Sequence, residues 1–284
     1  ASLSTGNIDF HIGCWVYMDS KSADMFIMGK WLTAGDHREY RLFFDQSEDR
    51  FRFEVSANGD STVVNIDADD LGSPSVATWY FINCWHDATA NTINIQVDDG
   101  TADSAAHAGG LADKDGDFSI GAEDGDGDPF DGRIESAFFT KEVYTAAERT
   151  FLHRDGDGVQ YSDIGLTGDG SNLKASLIGW WDLQEASGDR ADSENDNTLT
   201  DNNTVTDAEG IPNLAQWGGF IKDVEPIPSL GGLNAARLIA IGPLGQVNLD
   251  KLRLAMATSE ATGTAVGRIL TEAGWSTDDR TIDA

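Results

Sequence analysis

"FHIGCWVYM", residues 10–18, decides the fold. Phe10, Ile12, Cys14 and Val16 alternate with His11, Trp15 and Tyr17. That two-residue period belongs to a β-strand with an apolar face on each side. Working outward, the same period recurs in "EYRLFFD" (39–45) and in "RFRFEVS" (50–56), where Phe51, Phe53 and Val55 share a face. "STVVNID" (61–67), "WYFINCWHD" (79–87), "TINIQVDD" (92–99), "DFSIGAE" (117–123) and "RIESAFFT" (133–140) read the same way. Between them lie "SANGD", "DATANT" and "DDGT", turn chemistry for antiparallel hairpins. The expectation is a mainly β protein, an antiparallel jelly-roll β-sandwich.

One helix interrupts the strands. In "TAAERTFLHRDG" (145–156), Thr145 and Glu148 have capping-box spacing and Gly156 follows the end. A Gly- and Asp-rich connector comes next, then a strand candidate, "SLIGWWDL" (176–183), and a polar, turn-rich stretch over 185–210. "IPNLAQWGGFIKDVEPIPSLGG" (211–232) reads as an extended arm. Leu249, Leu252, Met256, Val266, Ile269 and Leu270 have helical spacing, with Gly274 as a stop. The expected division is a jelly roll at 1–155, completed by 176–184, a connector at 156–210, and an arm with a small helical docking tail at 211–284.

Composition narrows the function. The 284 residues are 40% hydrophobic, so a core can form. Lys and Arg number 19 against 49 Asp and Glu, a formal net charge of -30. A chain so acidic is a poor partner for nucleic-acid backbones or anionic membranes, which select basic patches. The charge fits a saline environment, cation binding, or both. No apolar run approaches the ~20 residues that span a bilayer. No signal peptide is visible, which fits either a processed chain or one not exported by that route.

Several motifs in combination resemble the laminin-G-like, concanavalin A-like jelly rolls, in the branch that also holds the pentraxins. "FHIGCWVYM" resembles the family's F-T-I-x-A-W-V strand. "ATWYFINCWHDATANTINIQVDDG" resembles T-W-Y-x-V-A-x-x-Y-D and the V-D-G strand after it. "FSIGAE" and "FDGRIESAFFTKEVYTAAERTFL" resemble the closing F-x-I-G, F-D-G-x-I-D and the short A-x-E helix. The family's opening strand, of the type L-x-x-Y-W-x-L-D-E-x-S-G, is missing before Ala1. Its match is "LIGWWDLQEASGDRADS" at 177–193. Either a second repeat starts there, or the strand folds back to fill the empty slot, or a neighbouring copy supplies it. Folding back is favoured, because an empty slot leaves a bare strand edge. "GRILTEAGWSTDDRTIDA" (267–284) resembles segments of bacteriophage tail and fibre proteins.

The acidic loop "EDGDGD" (123–128) is the candidate metal site. Calcium takes about 6–8 oxygen ligands, and alternating glycines let carboxylates converge. Counted from Asp124, an EF-hand would require Gly at the position held by Pro129, which argues against that motif. The pentraxin resemblance implies calcium on Glu123 and Asp124, with Asp36 from a second loop, and the Asp-Gly alternation adds Asp126 and Asp128 to the candidate ligands. The alternative is a solvated acidic turn, also the reading for "DKDGD" (113–117) and "RDGDG" (154–158). The same resemblance places Cys14 and Cys84 on the two disulfide-bearing strands. Buried free thiols are the other reading.

Trp15 and Trp85 fall on the faces opposite the cysteines and are the candidate ligand-binding aromatics. Burial under a loop or a subunit is their alternative. Paired carboxylates on one strand, zinc-type histidine spacing, a G-x-S-x-G elbow and a phosphate loop are all missing. The expected function is therefore non-catalytic: a lectin-like virion protein of tail or capsid that recognises a glycan or a host-surface protein. It would meet neighbouring virion subunits, or itself, through the C-terminal arm. The location is a virion surface or the extracellular space. A secreted bacterial adhesin and a polysaccharide-active enzyme are the alternatives.

Overall fold

The computed structural model describes residues 3–123, 127–165, 170–202, 205, 206, 208, 210 and 211, and the backbone of strands at 220–227, 235–242 and 245–247. The chain divides into two units, residues 1–214 and 215–284.

The first unit is a sandwich of two antiparallel sheets. Its strands are β1 (Phe10–Met18), β2 (Met25–Leu32), β3 (His37–Asp45), β4 (Arg50–Ser56), β5 (Val63–Asp67), β6 (Trp79–Asp87), β7 (Thr92–Val97), β8 (Asp103–Ala106), β9 (Phe118–Ile120), β10 (Gly132–Thr140) and β11 (Leu177–Trp181). One sheet runs β11-β10-β1-β6-β7-β8 and the other β5-β4-β3-β2-β9. Between them lies a core of Phe10, Ile12, Val16, Tyr40, Leu42, Phe44, Phe51, Phe53, Ile82, Ile95 and Phe139, all fully buried or nearly so. The alternation of "FHIGCWVYM" is explained directly. Its Phe10/Ile12/Cys14/Val16 face enters this core.

The other face of β1 is not solvated. A third layer covers it, made of the helix α1 (Ala146–His153) and the connector behind it. Trp15, Phe81, Phe138 and Trp180 from the sheet pack with Tyr144, Leu152, Val159, Ile164, Leu173 and Ile211. The helix starts on Thr145, whose hydroxyl accepts the Glu148 N–H while Glu148 returns to the Thr145 N–H. It ends at Arg154 in a left-handed conformation, φ 50°.

β11 pairs antiparallel with β10 and completes the six-stranded sheet within the same chain. Trp181 opposite Ala137 points into the sandwich core and is fully buried, while its neighbour Trp180 points into the outer layer. The free edge of β11 is capped by the loop after it. The Asn195 and Asn197 amides both donate to the Ile178 carbonyl at 2.9 Å, Asp192 accepts the Trp180 N–H at 2.9 Å, and Ser193 N–H donates to the Trp180 carbonyl. Such capping removes the open ladder that invites strand addition.

The second unit contains an antiparallel sheet of β12 (Phe220–Ile227), β13 (Ala235–Gly242) and β14 (Gly245–Val247). The extended arm expected over 211–232 thus contains a paired strand. The helical tail expected over 249–270 lies outside the described residues. No described helix is long and apolar enough to cross a membrane.

Candidate functional site: the arginine face of the five-stranded sheet

On β3, Tyr40, Leu42 and Phe44 point into the core, so Arg41 and Phe43 point outward. The pairing places Arg41 opposite Gly29 of β2 and Glu54 of β4, and Phe43 opposite Phe26 and Arg52. Gly29 is required for the close approach of β2, since a Cβ there would lie 2.3 Å from the Tyr40 carbonyl oxygen. The missing side chain also leaves room beside Arg41. Its guanidinium carbon lies 4.5 Å from the Trp31 ring centroid and 4.1 Å from that of Phe43. The Nε–H donates to Glu54 Oε2 at 2.6 Å. Nη1 is 4.0 Å from Glu123 Oε2, an ion pair at the limit of range. Among the described residues, neither Nη makes a hydrogen bond to the protein, and the side chain stays 20% exposed. Beside it, Arg52 forks onto Asp67, at 2.5 and 2.9 Å, and reaches Asp45.

This arrangement is a fixed cation with unused donors. Two rings and one carboxylate restrict the guanidinium plane, so a ligand that accepts from both Nη groups meets a preorganised fork. Trp31 and Phe43 are themselves buried, which assigns them to holding Arg41.

Glu123 belongs to the same edge. It sits in the hairpin after β9, bridged to Gly127, and its Oε1 accepts the Thr33 hydroxyl at 2.9 Å. The structure thus ties Glu123 to the β2–β3 turn. It does so through Thr33. Asp36 is 67% exposed at its side chain and takes Arg38 as partner at 3.2 Å. Asp128 has φ 46° and offers its carbonyl to the Phe26 N–H. With Arg41 already facing Glu123, the described members of the predicted calcium set do not converge on one point. Among the described residues no group of three or more acidic, His or Cys side chains could hold a metal ion. Asp124 and Asp126 lie outside the described residues, so a calcium site here would have to be built on them.

The predicted ligand-binding role of Trp15 and Trp85 is corrected. Trp15 is 2% exposed, stacked on His153 at 5.5 Å and packed on Phe81, beneath α1. Trp85 is 7% exposed, with the Arg149 guanidinium 4.3 Å over its ring. Neither ring offers a face to a sugar. Cys14 and Cys84 are buried free thiols. The register pairs Cys14 with Ile82 and Cys84 with Ile12, so the two cysteines are diagonal neighbours.

A buried carboxylate with a raised pKa is a common mark of catalysis, and Glu135 is one. Both its oxygens accept hydrogen bonds, from the Ile211 N–H at 2.7 Å and the Gln184 amide at 3.1 Å.

Residues 1–148, more than half of the chain, match the laminin-G-type family model of the concanavalin A-like lectin/glucanases superfamily. The chain belongs to that superfamily. No curated protein matches it. Among solved structures, this lectin/glucanase-type sandwich is similar to a candidate carbohydrate-binding protein from Bacteroides ovatus, at 16% identity and TM-score 0.51, over 72% of this chain and 55% of that one. The chain thus spans about half the length of that relative. A heptameric pentraxin from Limulus polyphemus (9% identity, TM-score 0.42, 55% and 75% covered) is more distant. So is the carbohydrate-binding module of a Ruminococcus gnavus sialidase, solved with sialyllactose (12%, 0.43, 54% and 95%). At 16% identity, the likeness to the Bacteroides ovatus protein bears on the fold alone.

Proposed function

We propose that the chain is a non-catalytic recognition module that binds a glycan on the outer face of its five-stranded sheet, with Arg41 as the anchor. The observation that carries this reading is the clamped guanidinium whose Nη1 and Nη2 make no hydrogen bond among the described residues, on a lectin-type sandwich. A net charge of -30 repels polyanions at long range, so the ligand class is a neutral glycan whose adjacent hydroxyls accept from Nη1 and Nη2. The test is a glycan array probed with the wild type, Arg41→Lys and Arg41→Ala. Wild-type signal that both variants lose, at unchanged melting temperature, supports the site. Signal that survives both variants moves recognition elsewhere.

The context we propose is a virion surface or the extracellular space, with residues 211–284 docking on neighbouring subunits or on a second copy. Its support is the resemblance of 267–284 to phage tail and fibre segments. Immunogold labelling of purified particles tests it, and particles without label would place the protein outside the virion. Calcium at the 123–128 hairpin, through Asp124 and Asp126, is the remaining element of the proposal. Its support is the alternation of Asp with Gly beside the Glu123–Thr33 contact.

A further inference from the structure

His86 lies near the end of β6, opposite Phe10 of β1, and is fully buried. It shares the core-facing side of the strand with Ile82 and Cys84. Its Nδ1 is 2.8 Å from the Ile8 carbonyl oxygen, so Nδ1 carries the proton and donates it there. Nε2 is then an acceptor, buried and without a hydrogen-bond partner among the described residues. A buried acceptor in that state is costly and asks for a partner. His107, just past β8, is 6% exposed. Its Nε2 is 2.6 Å from the Gly110 carbonyl oxygen, so here Nε2 donates and Nδ1 holds the spare lone pair. The two ring centroids are 5.6 Å apart, with the planes at 70°. Each imidazole thus gives its one N–H to a backbone carbonyl and has one nitrogen left over. Metal-ligating histidines are held in this way, since the carbonyl fixes tautomer and ring orientation and makes the other nitrogen a better ligand. The backbone around the pair is fixed as well: the His107 N–H donates to the Asn91 carbonyl at 2.7 Å and the Leu111 N–H to the Gly6 carbonyl at 3.0 Å.

We propose that His86 Nε2 and His107 Nδ1 together bind one monovalent copper ion. The ligand set selects the ion. Imidazole nitrogen suits copper and zinc, whereas calcium takes oxygen, so this site is separate in kind from the acidic hairpin. Zinc asks for four ligands, and among the described residues no third His, Cys, Asp or Glu joins the pair. Cu(I) is satisfied by two. Burial works in the same direction: with two neutral ligands and no carboxylate, a single positive charge is far cheaper to desolvate than a double one. Two metal–nitrogen bonds of about 2.0–2.1 Å fit between rings whose centroids are 5.6 Å apart. The copper would supply the missing partner of His86 Nε2 and tie the segment after β8 to β6.

Anaerobic titration of the full chain with Cu(I), in competition with a chromophoric chelator, tests this. The wild type is expected to withdraw one equivalent from the chelator. X-ray absorption of the product is expected to show nitrogen neighbours and no sulfur. His107→Gln, whose amide can still donate to Gly110, is expected to bind at least tenfold more weakly while its melting temperature without metal is unchanged. In the wild type, which needs no variant to fold, the ring nitrogen resonances of His86 and His107 are expected to shift with copper while those of His11, His37 and His153 stay in place. A wild type that withdraws no copper would overturn the proposal and make a buried water the partner of His86 Nε2. Sulfur neighbours would overturn it too, by assigning the ion to Cys14, Cys84 or a methionine. So would copper binding that survives His107→Gln.

Discussion

Trp181 stacks on Phe118, with ring centroids 5.1 Å apart and planes at 25°. The contact joins the edge strand of one sheet, β11, to the edge strand of the other, β9. It closes the sandwich on the side away from β5 and β8, and a residue late in the sequence makes it. Trp181→Ala should cost roughly 3–5 kcal/mol of unfolding free energy. Trp181→Phe should recover much of that. Chemical denaturation measures both, and a loss under about 1 kcal/mol would mean that β11 is not needed to close the core.

His11 predicts acid sensitivity. Its Nε2 lies 3.0 Å from Asn83 Oδ1 and its Nδ1 takes the Tyr144 N–H at 3.3 Å, which fixes the neutral tautomer protonated on Nε2. Nδ1 has no room for a proton. Burial, with the Arg149 charge adding, lowers its pKa to about 3. The unfolded chain therefore binds a proton that the folded chain refuses between about pH 6.5 and about pH 3. Stability contributed by this site is present above that window and lost as pH falls through it. His11→Gln should flatten the pH dependence of the denaturation midpoint there. An unchanged slope would assign the acid sensitivity to other groups.

Lys30 and Glu39 form an ion pair of 2.9 Å whose side chains are 8% and 0% exposed. Lys30 also donates to Ser4 Oγ and the Lys114 carbonyl. Lys30→Met leaves Glu39 buried without its counter-ion, at a cost of roughly 3–5 kcal/mol. The double variant Lys30→Met/Glu39→Leu should be less damaged than Lys30→Met alone. Equal damage in the two would show that the pair's charge is unimportant and that packing alone decides.

The formal charge of -30 predicts salt-dependent stability. Screening lengths shrink from about 10 Å at 0.1 M to about 3 Å at 1 M salt. The melting temperature should rise over that range with sodium chloride and with potassium chloride alike. A flat response would mean that the acidic groups are already neutralised locally by ion pairs.

Calcium has its own test at fixed high ionic strength. The melting temperature should be higher with calcium than with EDTA in the wild type, and equal in Asp124→Asn/Asp126→Asn. No difference in either protein makes the hairpin a solvated acidic turn.

Most of the sandwich is readable in the sequence, because strands half-buried on each face announce themselves by alternation. β2 and the short, polar β8 are the exceptions. "MFIMGKWL" shows no alternation, since bulges between Phe26 and Met28 and between Lys30 and Trp31 shift the register twice. β11 is readable through its motif, and its pairing with β10 follows from the edge it covers. Trp15 and Trp85 fall on the expected face, but the layer over that face does not announce itself. Val159, Ile164 and Leu173 are scattered through a Gly- and Asp-rich connector with no period. Arg41 was missed for a different reason. An Arg at an outward position reads as ordinary solvent-facing polarity. The available signal was the crowding of Arg38, Arg41, Arg50 and Arg52 into two neighbouring strands of a chain with so few basic residues.

Because β11 pairs with β10 across the whole helix and connector, the order of synthesis matters. When β10 leaves the ribosome, its outer edge has no partner and the pocket for Trp181 is empty. At about 5–20 residues per second, the missing strand arrives seconds later. During that interval the nascent sandwich carries an open ladder and an apolar slot. A pause between β10 and β11 would prolong that exposure, and the yield of soluble protein would fall with it.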